Sequence, residues 1–238
     1  MQLSSSHLNA CPYLKSSMLE NTLSWSDLSQ LPESPGIYTW YFRPTLTKYD
    51  INKLIREIDL NGEASSFVEP AKLIKDFLNN KLFKYFEQKP YEVELKGALK
   101  PRYLGRAHHR SEDNVSPDLI QRIYSNPNLL FDINTILEHS TPAVASPLYI
   151  GKAKNLRSRI QGHKKMIRTL KNNISLNVAN YVEYMPSPEE VSFANRIVER
   201  DIPSSQLFVT YIVVQNENIV TELENILNRI YFPILGRN

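Results

Sequence analysis

Cysteine is almost missing from this chain. Cys11 is the only one, so no internal disulfide can form and no multi-cysteine zinc site can be assembled. His7, His108, His109 and His139 show neither finger-like nor deaminase-like spacing, so zinc is not expected. Glycine is scarce as well, at 7 of 238 residues, and no Gly-rich phosphate loop or nucleophile elbow occurs. No run of 18 apolar residues is present, which excludes a hydrophobic helix long enough to span a bilayer. The first residues (MQLSSSHLNACPYLKSS) lack a charged start followed by an apolar stretch, so no signal peptide is read there. The expectation is a cytoplasmic protein with no membrane contact.

What remains is an ordinary globular composition, 42% hydrophobic and 22% charged, at a length that suits one large domain or a small one carrying an insertion. The net charge of +3 hides an asymmetry. Residues 139–182 hold Lys152, Lys154, Arg157, Arg159, Lys164, Lys165, Arg168 and Lys171 without one Asp or Glu. The other 20 of the 28 Lys and Arg face 25 acidic residues. A local cationic run in an otherwise acidic chain fits an anion-binding surface; a solvated basic helix is the plainer alternative.

Residues 1–30 are Ser-rich and read as a lead-in with one short helix near Met18–Leu23. Gly36–Phe42 (GIYTWYF) is aromatic and β-branched, which reads as a strand. Beyond Pro44 the pattern turns helical, with Asp50 as a cap ahead of Leu54, Ile55 and Ile58. Pro70 stands in a first turn before Leu73, Ile74, Phe77 and Leu78, and Ser116-Pro117 opens a further helix. A second strand is expected at Pro147–Gly151 and a basic helix at Asn155–Lys171. The capping box Ser187-Pro188-Glu189-Glu190 predicts another helix, Gln206–Val214 a strand, and Glu217–Tyr231 a last helix ended by Pro233. The expected fold is mixed α/β (an α+β sandwich): a small antiparallel three-stranded sheet flanked by helices, with a mainly helical insertion between its first two strands. The boundaries read as 1–30 for the lead-in, 31–43 with 147–238 for the core, and 44–146 for the insertion.

Gly36-Ile37-Tyr38 and Tyr149-Ile150-Gly151 together resemble the two halves of the signature of the GIY-YIG endonuclease family. Gly151-Lys152-Ala153-Lys154-Asn155-Leu156-Arg157-Ser158-Arg159 resembles that family's passage from second strand into first helix. The phosphate-binding arginine then falls on Arg159, and the histidine of restriction-type members falls on His163. Glu224-Asn225-Ile226-Leu227 with Pro233 resembles the segment that carries the metal-binding glutamate. The likeness covers 34–43 and 147–238. It departs from the family pattern in the 110 residues between Tyr38 and Tyr149, usually a short hairpin, and in Gly236, which stands where many members have an asparagine; Asn238 is the final residue.

The resemblance implies a catalytic set of Tyr38, Tyr149, Lys152, Arg159, His163 and Glu224. One of the two phenols would be the general base, with Tyr38 preferred, and Glu224 would hold one Mg²⁺ or Mn²⁺. It implies a metal-dependent DNA endonuclease, of restriction or phage-defence type or else a repair or mobile-element nuclease. An inactive DNA-binding module is the reading of a different class. Spacing alone adds two points. At about 100° per residue, Arg159 and His163 lie on the same side of a stripe of Leu156, Ile160, Ile167 and Leu170. Glu224 flanks a broad stripe of Ile219, Val220, Leu223, Ile226, Leu227, Ile230 and Tyr231.

DNA is the expected partner. Backbone contacts are expected from Lys154, Arg157, Lys164, Lys165 and Arg168 on the basic helix, and from Arg102, Arg106 and Arg110 in the basic stretch of the insertion (KGALKPRYLGRAHHR). One site cuts one strand at a time, so double-strand cutting would call for a homodimer or two visits.

Overall fold

The computed structural model describes residues 21–62, 68–86, 91–96, 102–107, 115–176 and 192–236. The chain divides into two compact units, Met1–Arg43 with Glu138–Asn238, and Pro44–Leu137. Residues 138–146, read from sequence as the end of the insertion, therefore group with the first unit.

The first unit is built on a four-stranded antiparallel sheet in the order β1-β6-β2-β5. These strands are β1 (Thr22–Ser24), β2 (Gly36–Phe42), β5 (Tyr149–Ala153) and β6 (Leu207–Val213). The three strands legible in the sequence are all there, and β2 pairs with β5 in the register Tyr38↔Gly151 and with β6 in the register Tyr38↔Tyr211. The fourth corrects the expected three. β1 lies on the free edge of β6 with Leu23 opposite Val209, and its first two residues overlap the end of the short helix expected near Met18–Leu23. Three residues carry no periodicity to read; this strand exists because an unpaired sheet edge offers it backbone partners.

Among the described residues the unit also contains α5 (Leu156–Leu176), α6 (Phe193–Glu199) and α7 (Glu217–Tyr231). Leu156, Ile160 and Ile167 of α5 are fully buried, as the stripe predicts. Asn155 caps this helix by accepting from the Ser158 N–H at 2.9 Å. The α6 cap is Ser192, which accepts from Asn195 N–H at 3.3 Å; the box at Ser187–Glu190 lies outside the described residues. On α7 the buried seam is narrower than expected. Val220 is buried with Ile219, Leu223 and Leu227 packed around it against Ile37 and Ile150. Ile226, Ile230 and Tyr231 are exposed, because a sheet covers only one side of a single helix. Phe232, at φ 41°, ends α7 in the left-handed region. Ile234 and Leu235 then donate backbone hydrogen bonds to Pro147 and Leu148.

The second unit contains α1 (Lys48–Gly62), α2 (Val68–Leu78), a hairpin of β3 (Tyr91–Lys96) and β4 (Arg102–Ala107), α3 (Pro117–Ser125) and the start of α4 (Leu129–Val144). Its core gathers Ile51, Leu54, Ile58, Ile74, Leu78, Ile123 and Leu130. At the α1 entry Thr47, not Asp50, caps: its Oγ1 accepts from Asp50 N–H at 3.0 Å. Ser116 caps α3 as the sequence predicts. Among the described residues of the insertion there are helices and also an antiparallel strand pair, β3 with β4, that the sequence reading missed. Among the described residues no helix is long and apolar enough to cross a membrane.

Candidate active site

Side chains alternate across a strand. The pairing therefore puts Tyr38 and Trp40 of β2 on one face with Tyr149 and Gly151 of β5, and Ile37 on the other with Ile150 and Lys152. Gly151 is dictated by this packing. Its φ is not positive, but a Cβ there would fall 2.6 Å from the Tyr149 ring and 2.7 Å from both Cζ and Oη of Tyr38. Gly36 answers to a different neighbour, since its Cβ would enter the shell of the Ile212 carbonyl oxygen on β6. Both signature glycines are thus demanded by space, not by backbone conformation.

The Tyr38 hydroxyl is where the first group of expected residues meets. Its oxygen lies 2.8 Å from Nε2 of His163 and 3.4 Å from Nε of Arg159. The i, i+4 spacing on α5 brings both to one phenol. Burial, with the Tyr149 phenol adding to it, raises the Tyr38 hydroxyl well above the ordinary phenol range, and Arg159 only partly opposes this. Burial, then the Arg159 guanidinium, pushes His163 down to about 4, so its ring is neutral near pH 7. A guanidinium can only donate. The arrangement that satisfies all three groups has Arg159 N–H donating to the Tyr38 oxygen and Tyr38 O–H donating to Nε2. His163 is walled by aromatic rings: Phe193 at 5.5 Å edge-on, Trp40 at 6.5 Å and Tyr149 at 6.0 Å.

The second group sits on the opposite face. Lys152 Nζ lies 3.2 Å from Glu224 Oε2 and donates to Thr221 Oγ1 at 3.2 Å. Arg159 of the first group and Lys152 and Thr221 of the second line one cleft of about 480 Å³, together with Ser158 of α5, the capping Asn155 and Lys154 just beyond β5, while Tyr38 is fully buried behind it. β5 is an outer strand of the sheet, so the helices on either face can both reach a cleft at its end. The rim carries the cations Lys152, Lys154 and Arg159 together with hydroxyl and amide groups. That set suits a phosphate oxygen.

Glu224 offers one carboxylate, and among the described residues no cluster of three or more His, Cys, Asp or Glu exists. A Mg²⁺-type ion accepts this, because it retains much of its water and takes remaining ligands from a substrate phosphate. The residues fit an ion that arrives with substrate.

The expected DNA-binding cations divide. Arg157 donates through Nε to the Leu31 carbonyl at 2.6 Å and pairs with Glu33 at 2.6 Å. Lys164 donates to the Trp25 carbonyl at 2.8 Å and stands over the Trp25 ring. Both help to hold the segment ahead of β2 against α5. Lys165 and Arg168 are exposed. Arg102 and Arg106 fall on β4, and Arg110 and Asn238 lie outside the described residues. The sequence reading missed Trp40, Phe193 and Thr221. Trp40 was legible, two positions from Tyr38 on the same strand face; Thr221, three before Glu224, was legible once that glutamate was chosen. No family model, curated protein or solved structure matches the chain.

Proposed function

We propose that the chain is a divalent-metal-dependent DNA endonuclease of the GIY-YIG kind, hydrolysing phosphodiester bonds in restriction or phage defence. The observation that carries this reading is the Tyr38 hydroxyl, held between Arg159 and a neutral His163 while Arg159 lines the same cleft as Lys152.

Hydrolysis of a phosphodiester needs a deprotonated water, neutralisation of charge on phosphorus and a stabilised leaving oxygen. Arg159 presents a planar fork to the phosphate; a fixed cation aimed at developing charge is worth about 3–4 kcal/mol. Tyr38 removes the water's proton, supported by Tyr149. Burial keeps the resting phenol protonated, so Tyr38 works as a base only if its own proton moves on. Nε2 of His163, neutral and 2.8 Å away, accepts the phenol's hydrogen bond and orients it; burial and Arg159 oppose its charging, so the phenol's proton would have to be driven off once phosphate and divalent ion are bound. Glu224 is the residue that would hold Mg²⁺ or Mn²⁺, which when bound supplies charge neutralisation at the phosphate and leaving oxygen. Lys165 and Arg168 on the exposed side of α5 follow the DNA backbone, and the basic hairpin strand carrying Arg102 and Arg106 contributes to selectivity.

The test is plasmid cleavage with Mg²⁺ by wild type and by Glu224→Ala. Wild type is expected to cut and the variant not, while both retain salt-dependent DNA binding. The Lys152–Glu224 pair favours one other reading, an inactive DNA-binding module in which a lysine has neutralised the carboxylate for good. Binding without cutting by wild type would establish that module instead.

A further inference from the structure

We infer that Lys152 is a resident cation that occupies Glu224 until DNA enters, so that DNA and the divalent ion bind cooperatively; this rests on the nuclease reading above. The pair is not a chance surface contact. β5 directs Lys152 to the α7 face, opposite Ile37, and its ammonium lies 3.2 Å from both Glu224 Oε2 and Thr221 Oγ1. Those two α7 residues are three positions apart and share a helix face. The ammonium thus has a fixed seat at the one carboxylate this centre offers, and a divalent ion beside it would meet like charge.

The same ammonium lines the cleft with Arg159 and Lys154. A phosphate entering that cleft is a second anion within reach of Lys152, whose side chain is 42% exposed while that of Glu224 is 20% exposed. A partly exposed ion pair is weak, so the exchange is easy. The ammonium moves from carboxylate to phosphate, which leaves the Glu224 carboxylate open to hold a divalent ion, so that every anion would keep a cation. Linkage then requires that DNA tighten metal binding and metal tighten DNA binding by the same factor. The alternative is a static pair that only ties β5 to α7.

The experiment measures Mn²⁺ binding by electron paramagnetic resonance. It uses the full chain in a Tyr38→Phe background, with and without a mixed-sequence duplex of about 20 base pairs at low salt. Without DNA, Lys152→Met and Lys152→Gln are expected to bind Mn²⁺ about fivefold or more tighter than the parent, and Lys152→Arg to match the parent. Adding duplex is expected to tighten Mn²⁺ binding by a larger factor in the parent than in Lys152→Met, which keeps only the gain from phosphate ligands. Equal affinities in parent, Lys152→Met and Lys152→Gln, or an equal gain from DNA in all three, overturns the inference while leaving Glu224 as the metal residue. Binding that is unchanged by Glu224→Gln, or absent from every variant even with DNA, removes the metal role of Glu224 and this inference with it. Unfolding midpoints of each variant identify any that fails to fold, which is why two neutral replacements are used.

Discussion

The Tyr38 hydroxyl and Nε2 of His163 lie 2.8 Å apart although 125 positions separate them in the chain. One sits in the middle of a sheet strand and the other on the helix that covers it, and Arg159 reaches the same oxygen from one turn earlier. A phenol that accepts from a guanidinium and donates to a neutral imidazole is held in one orientation through its oxygen. That separates Tyr38 from the tyrosines that only pack.

Replacing Tyr38 by Phe removes that oxygen while keeping the ring. Under the proposed function, single-turnover cleavage should fall by about 10²–10⁴-fold with DNA affinity nearly unchanged. Arg159→Ala should cost about 10²–10³-fold and also weaken binding. A Tyr38→Phe enzyme that cuts at the wild-type rate would remove Tyr38 from the chemistry.

The two signature glycines should fail in different ways. At Gly36 the added methyl meets a backbone carbonyl of β6, which cannot rotate away, so Gly36→Ala should cost about 3 kcal/mol or more. At Gly151 it meets two side-chain rings, which can shift. Gly151→Ala should therefore cost about 1–2 kcal/mol of stability while displacing Tyr38 from His163. Chemical denaturation orders the two, and cleavage by the folded Gly151→Ala protein reads the displacement.

His163 should make the fold acid-sensitive. Its native pKa is about 4, against 6.5 for the ordinary group. Above 6.5 both folded and unfolded chains hold it neutral and it contributes nothing. As pH falls below 6.5 the unfolded chain takes up a proton that the folded one refuses, and stability is lost until about pH 4, by about 3 kcal/mol at most. His163→Gln should flatten this dependence between pH 6.5 and pH 4, as followed by urea midpoints across the range. An unchanged slope in the variant would show that other groups carry it.

The basic helix should split under alanine substitution. Arg157 and Lys164 hold backbone carbonyls of the preceding segment, so each replacement should lower stability by about 1 kcal/mol with little effect on DNA affinity. Lys165→Ala and Arg168→Ala should leave stability alone. Each should reduce the salt dependence of DNA binding by about one unit of slope. Paired melting curves and salt titrations separate the two classes.

How much of this was legible locally follows the range of the signal. Gly36–Phe42 and Gln206–Val214 declare themselves as strands through their own β-branched and aromatic residues, and α7 runs from Glu217 to Tyr231 as its pattern predicts. The Arg159–His163 pair is legible because four residues make about one helical turn. β1 and the hairpin Tyr91–Lys96 with Arg102–Ala107 were not, since short strands depend on a partner edge more than on their own composition. The broad stripe assigned to α7 failed for a similar reason: Ile226 and Ile230 have helical spacing, but burial depends on what lies opposite.

The amino-acid order alone determined the three principal strands, the helices that follow them and the Arg159–His163 face, because each is written within a few residues by periodicity and sterics. Tertiary structure alone decided which charges are at liberty. Seen in sequence, Lys152, Arg157, Lys164 and Arg168 are equivalent cations. In the fold Lys152 meets Glu224, Arg157 meets Leu31 and Glu33, Lys164 meets Trp25, and Arg168 faces solvent. A charge is assigned its role by the partner that folding brings within a few ångströms, and that partner is as a rule far away in the chain.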